Sequence, residues 1–226
     1  MLSANPRSAT SKMRMTSTAG LSRQHRESTG NGSLIIDCQG AHAFQHAASS
    51  SGQKERIEDA DHAAHYLKIC ELVQRHVGEG TVLDIGCGGG RLYHYLTEHA
   101  GMPADFYTGI DMCGDAVRLA AARFPEAGIG RRDYGRESVA SRFDCVIFND
   151  SLHCFDDPGA ILDKCVDRNM HACSVLIVAI AEGQHDALWR LLARRYRVLD
   201  EQKVKSGDDI VWALRTLKLP GSRRDC

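Results

Sequence analysis

A chain of 226 residues that is 43% hydrophobic and 25% charged is sized for one soluble globular domain. A formal charge of −1 gives no global pull toward nucleic acid or anionic membranes. No stretch approaches the roughly 18 continuous apolar residues of a membrane span. The nine cysteines are odd in number and form no C-x-x-C pair, which argues against a disulfide framework and a structural zinc. Cys70, Cys87, Cys145 and Cys165 fall in strongly patterned segments, where a reduced thiol packs as a small hydrophobe; a cytoplasmic setting is expected.

Residues 1–53 hold five Lys/Arg and two acids among many Ser, Thr, Ala and Gly, and little periodicity. Such a composition buries too little apolar surface to offset chain entropy, so a disordered N-terminal extension is expected. It is Arg- and Ser-rich and acid-poor, as transit peptides are, but lacks their amphipathic basic helix; Met13 and Met15 are alternative starts. The folded domain is then 54–218, with 219–226 a tail.

Ala63, Leu67, Cys70, Val73 and Val77 recur at helical spacing and predict a helix over 54–77, ended by Gly78 and Gly80. Strand and helix alternate from there. A strand at Val82–Ile85 precedes a helix from about Gly89 to His99. A second strand at Phe106–Asp111 leads to a helix from Asp115 to Phe124, stopped by Pro125. A weak strand lies near Ile129–Arg132 and a fourth at Phe143–Phe148, followed by a helix through Ala160–Asp167. The apolar run Ser174–Ile180 suits a parallel strand buried on both faces. Helix His185–Arg195 and strands Arg197–Val204 and Ile210–Lys218 complete the pattern. This alternation predicts a doubly wound α/β sheet. The Lys205–Asp209 connection permits a hairpin but no parallel crossover, so the last strand is predicted antiparallel.

One run stands apart: Val82-Leu83-Asp84-Ile85-Gly86-Cys87-Gly88-Gly89-Gly90-Arg91-Leu92. A strand, a glycine turn and a helix N-terminus let backbone approach a ligand, because glycine carries no Cβ. A dinucleotide site needs G-x-G-x-x-G, but Arg91 holds its third position and the glycine falls at Gly90 instead. Further acids follow at predicted strand ends: Asp111 after Tyr107-Thr108-Gly109-Ile110, and Asp133 after Arg131-Arg132. Asn149-Asp150-Ser151-Leu152-His153 follows the fourth strand.

These four motifs, in order over roughly residues 55–218, resemble the class I S-adenosylmethionine (SAM)-dependent methyltransferases. The resemblance implies a seven-stranded, mostly parallel sheet with an antiparallel last strand and helices on both faces. It also implies SAM as cofactor. Asp84 and the turn of Gly86, Cys87, Gly88 and Gly90 would face its methionine part, Asp111 and Met112 its ribose and adenine, Asp133 its adenine amine with Tyr134 packing beside the ring, and Asn149 would close the site. A carboxylate such as Asp111 accepts from both ribose hydroxyls through strong charge-assisted bonds.

Methyl transfer from a sulfonium is an in-line displacement, in which the protein supplies alignment and removal of water; no triad and no metal are expected. His153, on the loop past the fourth strand, is a candidate base or pocket-shaping residue. His94, His99, His171 and His185 read as solvated. Tyr66, His153 and Phe155, with His65 and the Glu182–His185 loop, are the candidate acceptor lining. Asn149-Asp150-Ser151-Leu152 lacks the Asn/Asp-Pro-Pro-Tyr/Phe element of amino-methylating DNA enzymes, and no basic patch with interleaved aromatics appears. A small-molecule acceptor, methylated on oxygen or nitrogen by a monomer or homodimer, is expected. The alternatives are a SAM-binding scaffold or partner subunit without turnover, and a nicotinamide dehydrogenase.

Overall fold

The computed structural model describes residues 33–34, 46–47, 52–183, 185–207 and 209–220, and side chains from Ala63 onward. The expected N-terminal extension otherwise lies outside the described residues, as does the tail beyond Pro220. All described residues fall within one unit, Gly32–Cys226.

Seven strands form one sheet: β1 (Val82–Ile85), β2 (Tyr107–Asp111), β3 (Gly128–Arg131), β4 (Phe143–Asn149), β5 (Met170–Ala181), β6 (Arg197–Lys205) and β7 (Val211–Lys218). Their spatial order is β3-β2-β1-β4-β5-β7-β6. β1 pairs in parallel with β2 and β4, β2 with β3, and β4 with β5; β7 runs antiparallel to both β5 and β6. The turn residue Asp209 takes φ 66. The order reverses beside β1, so the carboxyl ends of β1, β2 and β4 flank the crevice where ligands of open α/β sheets bind.

Helices α1 (Gly52–His76), α2 (Arg91–Ala100), α3 (Gly114–Arg123), α4 (Pro158–Asn169) and α5 (Asp186–Arg195) cover the sheet. Alternation along the strands divides the core in two. Cys145 and Ile147 of β4 and Val175, Ile177 and Ala179 of β5 pack with Ile69, Leu72 and Val73 of α1 and Leu92 and Leu96 of α2. Val146, Phe148, Leu176, Val178 and Ile180 point the other way, onto Ile161, Leu162, Leu188 and Leu192 of α4 and α5. A strand sandwiched this way must be apolar throughout, which is why Val175–Ile180 reads as one run. β3 is an exposed edge strand and was correspondingly faint.

The predicted elements stand, with ends shifted by a few residues. α4 starts at Pro158 because Asp157 caps it, accepting from the Ala160 N–H at 3.0 Å. Leu219, assigned to the tail, is partly buried against the core. Cys70, Cys87, Cys145 and Cys165 are free and buried, as expected, and Cys154 is exposed. Cys113 and Cys173 depart from the expectation of reduced thiols: both are disulfide-bonded.

Candidate active site

The glycine turn leaves β1 through three left-handed residues, Gly86 (φ 85), Gly88 (φ 54) and Gly90 (φ 78). A Cβ on Gly86 would lie 2.5 Å from the Ser151 Cβ, so the loop after β4 packs directly onto the turn. Among the described residues, nothing lies within 4 Å of where a Cβ on Gly88 or Gly89 would stand. The Gly86 and Cys87 N–H groups donate to the Ile110 carbonyl at 2.8 and 3.1 Å, tying the turn to the end of β2.

Asp111 ends β2 and is oriented by backbone: its Oδ2 accepts from the Gly88 N–H at 2.9 Å and its Oδ1 from the Cys113 N–H at 2.7 Å. A carboxylate has about four acceptor positions, so two remain for a ligand. Met112, next in the chain, is 45% exposed at the rim. Asp84 contrasts with it. Buried to 1% exposure, it accepts from the Tyr107 hydroxyl at 2.7 Å through Oδ2, while Oδ1 has no hydrogen-bond partner among the described residues. Burial pushes its pKa up to about 7; the Tyr107 bond lowers it and the Asp111 charge raises it.

Asn149 ends β4, and its Oδ1 is buried without a hydrogen-bond partner. Tyr66, from α1, comes to the same place. Burial pushes its hydroxyl to about 12, Arg91 and Asn149 pull it down and Asp84 raises it, so these four side chains share one neighbourhood. Tyr66 stacks on Tyr95 (5.1 Å between centroids, 8° between planes), and His65 stacks on Trp212 (3.8 Å, 11°). His153 sits on a short 3₁₀ turn, Leu152–Cys154, with its Nδ1 3.8 Å from Asp150 Oδ1. Phe155 packs edge-on against Phe148, 6.3 Å away.

Two expectations need correction. Tyr134 does not stand at the rim beside a ligand ring: it is 3% exposed, donates to Asn169 Oδ1 at 2.7 Å and carries the Lys164 ammonium 4.7 Å from its ring centre. Its neighbour Asp133 stays near the surface, accepting from the Gly135 N–H at 2.9 Å. His185 is not a remote solvated histidine, because its ring lies 4.6 Å from that of His153. Asp150, Arg91 and Tyr107 were not singled out as site residues. Only their adjacency to the motifs signalled them, since burial and positive φ at a non-glycine do not show in sequence.

A sheet of this order, with a left-handed glycine turn over an acid at the end of β2, is a Rossmann-like α/β fold. Residues 83–170 match the family described as "Methyltransferase domain". Over that stretch the chain is similar to SAM-dependent methyltransferases. It is 29% identical over 155 residues to a ubiquinone biosynthesis O-methyltransferase of Serratia proteamaculans, a match covering 55% of this chain and 62% of that one. The chain therefore aligns with less than two thirds of that relative's length. In fold it resembles the N-methyltransferase NodS of Bradyrhizobium japonicum, solved with S-adenosylhomocysteine (TM-score 0.58, 17% identity, covering 76% of this chain and 94% of that one). It also resembles the [4+2]-cyclase SpnF (TM-score 0.54, 16% identity, 68% and 81%).

Proposed function

We propose that the protein transfers a methyl group from SAM to an oxygen or nitrogen of a small-molecule acceptor. The observation that carries this reading is the pairing of open space above Gly88 and Gly89 with an Asp111 carboxylate already aimed by two backbone amides. Asp111 would hold the ribose hydroxyls, with Met112 beside the adenine and Asp133 within reach of its amine. The unpartnered Oδ1 of Asp84 fits the cationic methionine end, since a buried carboxylate with a raised pKa gains most from a cation. SAM supplies an activated methyl when bound. Asn149, Tyr66 and the aromatic wall behind it keep water from the transfer path and orient the acceptor.

A small acceptor is supported by the near-neutral charge and by the likeness to the ubiquinone biosynthesis O-methyltransferase of Serratia proteamaculans. The buried free thiols of Cys70, Cys87, Cys145 and Cys165 support a cytoplasmic setting, against which stand the disulfide-bonded Cys113 and Cys173. The experiment is calorimetry with S-adenosylhomocysteine and NAD side by side, followed by metabolite profiling with methyl-labelled SAM. Binding of NAD at micromolar affinity with no S-adenosylhomocysteine heat would overturn the reading. The cyclase name on one neighbour of the same fold keeps a second reading alive, a SAM-binding protein that does not turn methyl over. Tight binding with no labelled product from any metabolite fraction would favour it.

A further inference from the structure

We infer that Trp212 selects the methyl acceptor: its indole N–H donates to an uncharged carbonyl oxygen of a flat molecule whose reacting atom lies beside Asn149. This rests on the methyl-transfer reading and narrows it to a class of acceptor.

Strand register puts three buried polar atoms on one face of the sheet. Val82 of β1 and Ile147 of β4 pack on the α1 side, so Asp84 and Asn149, each two residues further along, turn to that side too. Trp212 of β7 packs there directly and is 2% exposed. Asp84 pairs with Ile147, Asn149 with Ala179, and Ala181 with Trp212, which sets a diagonal row across β1, β4, β5 and β7. Asp84 Oδ1, Asn149 Oδ1 and Trp212 Nε1 in that row are buried with no hydrogen-bond partner among the described residues. The cofactor reading uses the other direction, from the glycine turn toward Asp111 on β2, so Trp212 lies beyond it on the far side of β4. Trp212 stands two strands and two residues from Asn149. At standard strand spacings that is about 12 Å between Cα atoms. Less the reach of the two side chains, the gap fits a single ring with a short substituent.

The surroundings of the row suit a flat ligand. On the α1 face, β5 carries Val175 and Ile177 and then only Ala179 and Ala181 where the row crosses it. The Glu182 N–H donates to the Val211 carbonyl at 2.7 Å and fixes the start of β7 against the end of β5. Over the row, the ring of His65 stacks on Trp212 at 3.8 Å and lies 4.0 Å from that of Tyr66, which shares the neighbourhood of Asn149. A buried indole N–H ordinarily has a partner, and phenylalanine would fill most of the same space without orphaning a donor. The partner must bring a lone pair. An uncharged carbonyl fits, because the core cluster around Trp212 is apolar and a carboxylate desolvated there would cost far more than one N–H returns. At the other end Asn149 Oδ1 accepts from the N–H or O–H of the atom to be methylated. Trp212 touches no reacting atom; it is a specificity-determining residue.

The test uses the full chain, ¹⁵N-labelled at its indoles and saturated with S-adenosylhomocysteine. The chain has two tryptophans, so Trp189→Phe, on the opposite face of the sheet, leaves the Trp212 signal alone and assigns it. The probes are 4-aminoacetophenone, its carbonyl-free analogue 4-ethylaniline, and the carboxylate 4-aminobenzoate. The ketone should move the Trp212 N–H proton downfield and bind about tenfold or more tighter than 4-ethylaniline, with 4-aminobenzoate no better than 4-ethylaniline. Trp212→Phe should reduce the ketone's advantage to less than about twofold and leave S-adenosylhomocysteine affinity unchanged. The indole shift is read with Trp212 in place, so the inference stays refutable even where Trp212→Phe fails to fold. An indole signal that the ketone does not move, equal affinity for the ketone and the ethyl compound, or preference for the carboxylate overturns the inference while leaving methyl transfer standing. Absence of S-adenosylhomocysteine binding overturns the methyl-transfer reading itself.

Discussion

Replacing Asp84 by asparagine should stabilise the unliganded protein at alkaline pH while weakening its hold on SAM. The buried carboxyl has a pKa of about 7, held up first by burial and then by Asp111, against the downward pull of the Tyr107 bond. An unfolded aspartate titrates near 3.9. The folded chain therefore binds the proton more tightly, and between about pH 4 and 7 it carries more protons than the unfolded chain. Stability must fall as pH rises through that window and level off above it. Three units correspond to a penalty of about 4 kcal/mol at pH 8. Asparagine removes the charge and can still accept from the Tyr107 hydroxyl, but it buries an amide donor where Oδ1 stood, costing about 1–3 kcal/mol. The net gain is about 1–3 kcal/mol, or a Tm higher by about 3–10 °C at pH 8 for a domain of this size. At pH 5 the gain should vanish. Thermal melts of Asp84→Asn and its parent at both pH values check this, with calorimetry for the loss of S-adenosylhomocysteine affinity. A variant that melts at or below the parent at pH 8, with the parent's pH slope, would refute the reasoning.

Asp111→Ala removes the acceptor of the Gly88 and Cys113 amides as well as the ribose contact, so S-adenosylhomocysteine affinity should drop tenfold or more, at roughly 1.5–3 kcal/mol per lost charge-assisted bond, in a protein that still melts cooperatively. Two glycines of the same turn should fail differently. Gly86→Ala drives a Cβ to 2.5 Å from Ser151 at φ 85 and should cost about 2–4 kcal/mol of stability, read as a lower Tm. Gly88→Ala meets nothing within 4 Å among the described residues and should lose only about 1–2 kcal/mol to backbone strain, yet abolish ligand heat because its methyl stands in the open space. Asp157→Ala, at the N-cap of α4, should cost about 1 kcal/mol and leave binding unchanged.

Sequence legibility followed how far each feature depends on local pattern. β5 was plain because a strand covered on both faces is apolar at every position, and the place of Asp111 at the end of β2 because the strand pattern stops there. Tyr134 was misplaced: adjacency to Asp133 implied the rim, but the chain turns after Asp133 and sends the ring inward to Asn169. Proximity in sequence carries no information about which way a turn residue points. The pairing of His153 with His185 joins loops after two different strands, and no period or motif links them. Nor does any residue type announce the positive φ of Asp150. Contacts made across the sheet, after the chain has closed, are the part that single-sequence pattern does not encode.

The two ends of the strands locate the site independently of any motif. At the amino end of β4 and β5 the buried polar groups are satisfied. Asn169 accepts from Tyr134 and donates to the carbonyls of Val139 and Ser141, and Ser174 donates to the Phe143 carbonyl while accepting from the His171 N–H. At the carboxyl end Asp84 Oδ1, Asn149 Oδ1 and Trp212 Nε1 are buried with no hydrogen-bond partner among the described residues. Three left-handed glycines and the left-handed Asp150 crowd the same end. Arg215 Nε and Thr216 Oγ1, lower on β7, are also unsatisfied, and the structure offers no account of them. A buried unpaired acceptor costs about 1–3 kcal/mol, more when charged, and folding alone gives no reason to gather such groups on one rim. They cost stability in the unliganded chain, and a ligand that offers donors and positive charge to the two oxygens and an acceptor to the Trp212 N–H would recover it. We propose that this end, where the fold tolerates its own defects, is the cofactor-binding end, and the Asp84→Asn melt measures the largest of those defects.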